Sequence, residues 1–282
     1  MAHHHIQSEP TSRLAIWARR MAAFAFVASF LAVIIVRSGL LEIRPALATF
    51  AGALAIAVVA IVLALAAFVV IWTEGLAGIG AALTATAVSL VLLAYPAYFG
   101  LKAYRLPWIY DITTDPIDPP RFEALARLRV RDANPTTYAG LYAAEQQRAA
   151  YPDVGPLGTN ATVQAAYDAA LAVVNKRRWR IVDARAPQAG RREGRIEAVA
   201  RTPIMGFRDD VVIRVRAETD GARIDARSSS RYGSFDFGTN AARVRGLMND
   251  IEDAIRAQKP ERPPPTQQPA KKSTGKKDQP KR

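Results

Sequence analysis

Three long apolar segments fill most of the first hundred of this chain's 282 residues, and they constrain its fold more than any other feature. They cover residues 21–36, 45–72 and 76–98, and none contains Asp, Glu, Lys or Arg. Because a helix rises about 1.5 Å per residue, about 20 apolar residues cross the ~30 Å hydrocarbon core of a bilayer. The second and third segments reach this length alone, and flanking arginines extend the first. The sequence therefore predicts three transmembrane helices within residues 21–101, after an N-terminal lead at residues 1–20.

An odd number of spans places the two ends of the chain on opposite sides of the membrane. Basic residues flank the spans in similar numbers on both sides, so the positive-inside rule leaves the orientation open. They are Arg13, Arg19 and Arg20 on one side and Arg37, Arg44, Lys102 and Arg105 on the other. Spans without ionisable residues argue against transport by this chain alone. Their frequent Gly and Ala would allow close packing, including against a membrane-protein partner.

The polar part of the chain predicts an α+β domain at residues 159–257. Apolar residues at helical spacing predict a first helix that contains Val163 and Val174, and a last helix at residues 239–257. Alternating patterns between them predict four strands, at residues 179–183, 195–201, 211–217 and 223–229. The Asp220-Gly221 pair predicts a tight hairpin between the last two.

The predicted fold class is thus a membrane-anchored α+β protein. Three transmembrane helices precede a helix, a four-strand antiparallel meander and a helix, with both helices on one face of the sheet. Residues 102–158 are expected to be a linker with short helices. Residues 258–282 hold eight lysine or arginine residues against two acidic ones, and they predict a disordered basic tail.

The composition excludes several kinds of chemistry. The chain has no cysteine, and its three histidines are His3, His4 and His5, interpreted as a disordered native start. Disulfides, thiolate chemistry, serine–histidine triads and histidine zinc sites are therefore excluded within the predicted domain. A calcium site at Asp111, Asp115 and Asp118 lacks the spacing of a known loop, so turn formation is the favoured interpretation. The sequence predicts no catalytic residue, no metal and no cofactor.

Arginine and serine residues concentrate on the last three predicted strands and at the start of the last helix. Alternation along the strands would gather several guanidinium groups on one face of the sheet, where they suit phosphate or carboxylate. The candidate ligand-binding residues are Arg201, Arg214, Arg227, Ser228, Ser230, Arg231, Asn240 and Arg243. The alternative, which is commoner for such a pattern, is a solvated face whose arginines pair with Glu197 and Asp225 across the strands.

Two features between the predicted strands are open to more than one interpretation. Asp209 and Asp210 are adjacent in a strand and point to opposite faces, so each is expected to pair with a nearby arginine, such as Arg208 or Arg227, or to cap a turn. The apolar loop at residues 204–207 would cover a lipid-like ligand, enter the bilayer or, more commonly, pack onto the domain's helices.

Three ordered segments carry a family resemblance. Residues 111–122 read DITTDPIDPPRF, residues 196–215 read IEAVARTPIMGFRDDVVIRV, and residues 225–243 read DARSSSRYGSFDFGTNAAR. The chain resembles the bacterial domain of unknown function 1499 family over about residues 111–255. The resemblance implies no agreed reaction or ligand. Because family members include lipoprotein-like and lumenal plant forms, it implies a periplasmic C-terminal domain and a cytosolic N-terminus, in the inner membrane of a bacterium.

These features together predict a non-enzymatic envelope protein, anchored in the lipid bilayer. Its domain would bind an anionic lipid or envelope polymer through the arginine and serine residues. One alternative is a carboxylate-dependent hydrolase that uses Asp209 or Asp236. The other is a cytosolic protein that tethers nucleic acid through its basic tail, but stacking aromatic residues are sparse in the domain, so no nucleic-acid partner is expected.

Overall fold

The computed structural model describes residues 9–39, 43–188 and 193–258, so His3–His5 and the expected disorder of the tail beyond Gln258 lie outside the described residues. Three long helices form the N-terminal bundle: α1 (Arg13–Ser38), α2 (Ile43–Glu74) and α3 (Ile79–Ala103). Each is long and apolar enough to cross a membrane, which confirms the predicted spans and indicates a membrane protein. The start of α1 precedes the first apolar segment because Ala15 and Ala18 already pack inside the bundle.

Small side chains face the centre of this bundle, and large apolar side chains face outward. The fully buried positions include Ala15, Ala18 and Ala25 on α1, Ala57, Ala60, Ala64 and Ala67 on α2, and Ala82 and Ala85 on α3. By contrast, Phe24, Phe30 and Val69 are about 60% exposed. Lipid is as apolar as a leucine side chain, so helices in a membrane associate through close backbone packing, which small residues allow. The pattern fits a bundle whose outer surface contacts acyl chains.

The rest of the described chain is one antiparallel sheet with helices on both faces. Its elements are β1 (Asp111–Thr113), α4 (Ala124–Leu128), α5 (Leu141–Ala150), β2 (Leu157–Thr159), α6 (Val163–Lys176), β3 (Arg180–Arg185), β4 (Glu193–Arg201), β5 (Arg208–Glu218), β6 (Gly221–Ser230) and α7 (Thr239–Gln258). The strand order is β1-β6-β5-β4-β3, and β2 also pairs with β6. Strands β3 to β6 are the predicted meander, and α6 and α7 cover one face of it, as expected.

Residues 102–158 do more than link the spans to the domain. Strands β1 and β2 lie end to end along β6 and extend the sheet beyond the four predicted strands. The segment after β1 then crosses the second face of the sheet, where Phe122 and Leu125 pack on Val199 and Val212. The sheet is therefore covered on both faces, and Arg214 and Arg227 lie under protein rather than in open solvent.

The hairpin between β5 and β6 is shifted by one residue from its predicted position. Glu218 pairs with Gly221, so the two turn residues are Thr219 and Asp220. Gly221 begins β6 with φ of 146°, and a Cβ there would lie 2.1 Å from the carbonyl oxygen of Thr159. Glycine is needed here because β2 approaches the backbone closely and because φ is positive.

The domain contacts the bundle through the β4–β5 loop and through aromatic side chains. Met205 and Phe207 pack against Val36, at the end of α1, and Ala46, at the start of α2, instead of onto the domain's helices. The expected packing of this loop on those helices is therefore wrong. The ring of Phe99 on α3 lies 5.2 Å from that of Phe237. The domain thus lies against the end of the bundle that is opposite the start of α1.

Candidate functional site

The structure divides the eight predicted ligand-binding residues among separate places. Arg214, Arg227 and Arg231 lie on the face of the sheet covered by α4, whereas Ser228 and Ser230 point to the other face. Asn240 and Arg243 come from α7 and join the two serines. Arg201 ends β4, beside the spans. One continuous arginine–serine surface is therefore absent from the described residues, and each group has its own chemistry.

The arginines at the far end of the sheet are neutralised by acidic residues. Asp225, whose side chain is fully buried, accepts hydrogen bonds from Arg214 at 3.1 Å, Arg216 at 2.9 Å and Arg223 at 3.1 Å. Asp118 pairs with Arg214 and Arg216, and Asp115 with Arg223. Three guanidinium groups thus meet three carboxylates. Pairing with acidic residues therefore describes Arg214 better than ligand binding does.

Glu197 does not pair with an arginine of the strands, contrary to the alternative considered for it. Its carboxylate accepts the backbone N–H groups of Glu123, Ala124 and Leu125 at 2.8, 3.2 and 2.8 Å. These groups lie at the start of α4, where backbone donors lack partners within the helix and favour a negative charge. Glu197 therefore secures α4 on the sheet.

Arg227 forms a buried bidentate ion pair with Asp111. Its Nε lies 2.9 Å from Oδ1 and its Nη2 lies 2.6 Å from Oδ2, and the two residues are 1% and 2% exposed. The guanidinium also donates to the carbonyl groups of Pro120 and Thr136, and it lies 4.7 Å from the ring centre of Phe122. No exposed surface remains for a ligand, so Arg227 organises the fold.

Arg231 is occupied in a similar way. The fully buried carboxylate of Asp210 accepts a hydrogen bond from Arg231 Nε and another from Arg129 Nε, both at 2.8 Å.

Within the described residues, no group of three or more acidic or histidine side chains could hold a metal ion. Asp111, considered for calcium, instead holds Arg227.

Ser228, Ser230, Asn240 and Arg243 do come together, at the start of α7. Ser228 donates to Asn240 Oδ1 at 2.7 Å, and Asn240 Nδ2 donates to Ser230 Oγ at 2.9 Å. Arg243 Nη1 donates to Ser228 at 2.9 Å, and the same guanidinium pairs with Asp209. This network joins β5, β6 and α7, and its polar groups bind one another.

Asp236 secures the start of α7 from the preceding loop. Its carboxyl group accepts the N–H groups of Gly238 at 2.9 Å and Asn240 at 2.8 Å. Burial raises the pKa of Asp236 despite these hydrogen bonds, and the nearby charge of Asp209 adds to the rise. Asp209 and Asp236 are thus neighbouring carboxyl groups in different environments.

Arg201 belongs to a different cluster, at the junction between the domain and the spans. Three arginines lie here, Arg37, Arg201 and Arg208, which we name the junction arginines. Arg201 Nη1 donates to the carbonyl oxygen of Arg37 at 3.1 Å, and Arg37 donates to the carbonyl groups of Pro203 and Ile204. Among the described residues, none of the three forms an ion pair with a carboxylate, in contrast to the arginines of the sheet.

Arg208 is the most unusual of the junction arginines. It is half-buried, and its side chain has no hydrogen-bond partner in the described part of the chain. Burial lowers its pKa, and the charges of Arg201, Arg231 and Arg180 lower it further. A Cβ at Gly39 would lie 2.2 Å from Arg208 Nη2, so the guanidinium reaches the end of α1. It was predicted to pair with one of the adjacent aspartates, but Asp209 pairs with Arg243 and Asp210 with Arg231.

A cavity of about 540 Å³ lies beside Arg208, between α2, α3 and the domain. Its walls are mainly apolar and come from both helices and from the β4–β5 loop. The wall residues include Ile43, Leu47, Phe50, Tyr95, Pro96, Phe99, Met205 and Phe207. Its polar lining residues are Arg208, Asp209, Ser230, Asp236 and Thr239. The cavity is amphipathic, and it lies at the ends of the spans.

Comparison with known proteins identifies one family. The model of a family described as a protein of unknown function (DUF1499) matches residues 111–251, half of the chain. The match begins at β1 and ends within α7, so it includes Arg201 and Arg208 but not Arg37 or the spans. No curated protein matches the chain.

Arg227→Ala is expected to destabilise the domain, because Asp111 would stay buried without its partner. Removal of one member of a buried ion pair costs about 3–5 kcal/mol. Arg256→Ala is the control, since the ion pair of Arg256 with Glu252 on α7 is exposed and such a pair contributes about 0.5 kcal/mol or less. Unfolding of the full chain in detergent measures both changes. Equal stability of the two variants would contradict the structural role of Arg227.

Proposed function

This chain belongs to the DUF1499 family of unknown function, and from that premise we propose that it is a non-enzymatic, membrane-anchored protein of the bacterial cell envelope. The spans hold the domain at the membrane surface, and the junction arginines bind an anionic group there. The observation that carries the proposal is Arg208, a half-buried guanidinium at the end of α1 without a carboxylate partner in the described residues.

The charge balance of the domain supports an external anion at the junction. The sheet's other buried arginines each meet an aspartate, as Arg214, Arg227 and Arg231 do. A cation removed from water is costly unless it is paired, and at Arg208 the neighbouring charges are also positive. An anion would relieve both effects. The fork of a guanidinium binds phosphate or carboxylate with two parallel hydrogen bonds.

The position of the junction arginines favours a lipid headgroup over an envelope polymer. Arg37 lies at the end of a span, and Arg201 and Arg208 flank a loop that packs on the span ends. Anionic headgroups lie at this level of a membrane and attract nearby basic residues. Of the eight residues predicted from the sequence, Arg201 alone belongs to this site, and the other seven bind partners within the domain.

We propose a cytosolic N-terminus and a periplasmic domain, in the inner membrane. Two observations support this orientation. The domain lies at the end of α1, the start of α2 and the end of α3, which is the side of the bundle opposite the N-terminus. The family resemblance implies an extracytoplasmic domain. Together they support a cytosolic N-terminus.

A carboxylate-dependent hydrolase is the second candidate, because Asp209 and Asp236 line the same cavity. A general acid needs a raised pKa, and burial raises that of Asp236. Against this role, Asp236 accepts two backbone N–H groups and Asp209 is paired with Arg243. The nucleic-acid alternative depends on the tail, which lies outside the described residues.

Arg201→Ala combined with Arg208→Ala is expected to weaken binding of phosphatidylglycerol by at least about tenfold, because a hydrogen bond to a charged group contributes about 1.5–3 kcal/mol. Native mass spectrometry of the full chain, with the lipid added in neutral detergent, measures the affinity. Arg148→Ala combined with Arg256→Ala removes the same charge from exposed positions and should leave it unchanged. Equal loss in both double variants would indicate a nonspecific effect of net charge.

The orientation predicts the behaviour of fusions to the two ends of the full chain. Alkaline phosphatase after Arg282 should be active, because it folds outside the cytosol, and a fluorescent protein there should be dark when exported unfolded. The same fluorescent protein before Met1 should be bright. A bright C-terminal fusion would contradict the periplasmic assignment.

Asp236→Asn separates the two candidate functions. Asparagine still accepts hydrogen bonds from backbone N–H groups at a helix start, so the variant is expected to fold, but its amide cannot act as an acid. We expect parent and variant to give the same background with ester, phosphodiester and amide substrates. Hydrolysis by the parent that the variant lacks would favour the hydrolase and contradict the non-enzymatic proposal.

A further inference from the structure

We propose that the cavity between α2, α3 and the domain holds the acyl part of one anionic phospholipid, whose phosphate binds Arg208. This inference rests on the proposed anion site and adds the chemical class of its ligand. It depends on three features of the cavity: its apolar walls, its polar lining residues and its location.

The walls suit a hydrocarbon chain. Leu47 and Phe50 on α2, Tyr95 and Phe99 on α3, and Met205 of the β4–β5 loop all line the cavity. The volume of about 540 Å³ is within the roughly 300–1,000 Å³ that ligand pockets occupy. An acyl chain that enters from the bilayer is not transferred from water, so its binding depends on close packing against these walls. A side chain that fills the cavity should therefore compete with the acyl chain.

The polar lining residues suit the head of the same molecule. Arg208 lines the cavity, and its charge has no partner among the described residues. The two acidic lining residues are already occupied: Asp209 is paired with Arg243, and Asp236 binds backbone N–H groups. Ser230 and Thr239 add hydroxyl groups to the lining, so Arg208 is the lining residue whose charge no described group compensates. The complementary ligand is an anion with an apolar chain.

The location of the cavity gives a lipid direct access. The start of α2 and the end of α3 form its walls, and both lie where the spans meet the domain. Leu47 and Gly100 line it and are exposed. Since the outer surface of the bundle would contact acyl chains, a cavity walled by α2 and α3 is within reach of a phospholipid that stays in the membrane. A polar, water-soluble ligand would gain little from contact with these apolar walls.

Gly100 provides a sharp test, because a side chain there would occupy the cavity without displacing protein atoms. A Cβ at Gly100 meets nothing within 4 Å, and Gly100 lines the cavity. Gly80 on the same helix is also open but does not line it, so Gly80→Leu is the matched control for Gly100→Leu. Both variants add the same side chain to α3.

The experiment measures binding of dioleoyl and dihexanoyl phosphatidylglycerol to the full chain in neutral detergent, with dioleoyl phosphatidylcholine, whose headgroup is zwitterionic and carries no net charge, as the control. Gly100→Leu should weaken the dioleoyl anionic lipid at least tenfold and leave the dihexanoyl lipid within about twofold. Arg208→Ala should weaken both anionic lipids, and Gly80→Leu neither. The parent should bind phosphatidylcholine at least tenfold more weakly than phosphatidylglycerol.

Each contrary result has its own meaning. An unchanged dioleoyl affinity in Gly100→Leu overturns the acyl site but leaves the anion site intact. Unchanged affinities in Arg208→Ala overturn the proposed function itself, and equal binding of both headgroups overturns the role of the charged lining residue. If Gly100→Leu does not fold, phosphatidylglycerol with a photoreactive acyl chain replaces it: crosslinks at Phe50 or Phe99 support the site, and crosslinks confined to outward positions such as Phe24 overturn it.

Discussion

The buried ion pair between Arg227 and Asp111 joins parts of the domain that are 116 residues apart in the chain. Its guanidinium also donates to carbonyl groups of the segment that follows β1 and covers the second face of the sheet. One side chain therefore connects β6, β1 and this covering segment. A buried charge is tolerated only when its hydrogen bonds are made. The segment after β1 must therefore follow one path across the sheet, and that path decides which other arginines are neutralised.

Along this path, Asp115 and Asp118 reach the arginines at the far end of β5 and β6. No described carboxylate reaches Arg208 at the opposite end, where the chain turns toward the spans. The domain thus has a neutralised end away from the bundle and a cationic end beside it. This asymmetry follows from the covering segment together with Asp225 of β6, since arginine occurs at both ends of β5.

Hydrophobic patterns in the sequence were sufficient to predict the spans, the four-strand meander and both long helices. The spans are continuously apolar, and each of the other elements buries a periodic apolar face of its own. Strands β1 and β2 have three residues each and depend on pairing with β6, so no period could be detected. The arginine chemistry was harder to predict, because Asp118 and Asp111, which pair with Arg214 and Arg227, come from a remote segment. Arg208 was expected to pair with one of the adjacent aspartates, but Asp209 and Asp210 bind other arginines.

The junction requires both parts of the chain. Arg201 and Arg208 belong to the family domain, whereas Arg37 and the α2 and α3 walls of the cavity lie outside the family match. A DUF1499 domain without these spans would lack the apolar walls, and it would expose Met205 and Phe207 unless another apolar surface covered them. The sheet ion pairs of Arg214, Arg227 and Arg231, by contrast, lie within the family match. The interactions that organise the sheet therefore belong to the domain, whereas the amphipathic cavity forms where the domain meets the membrane helices.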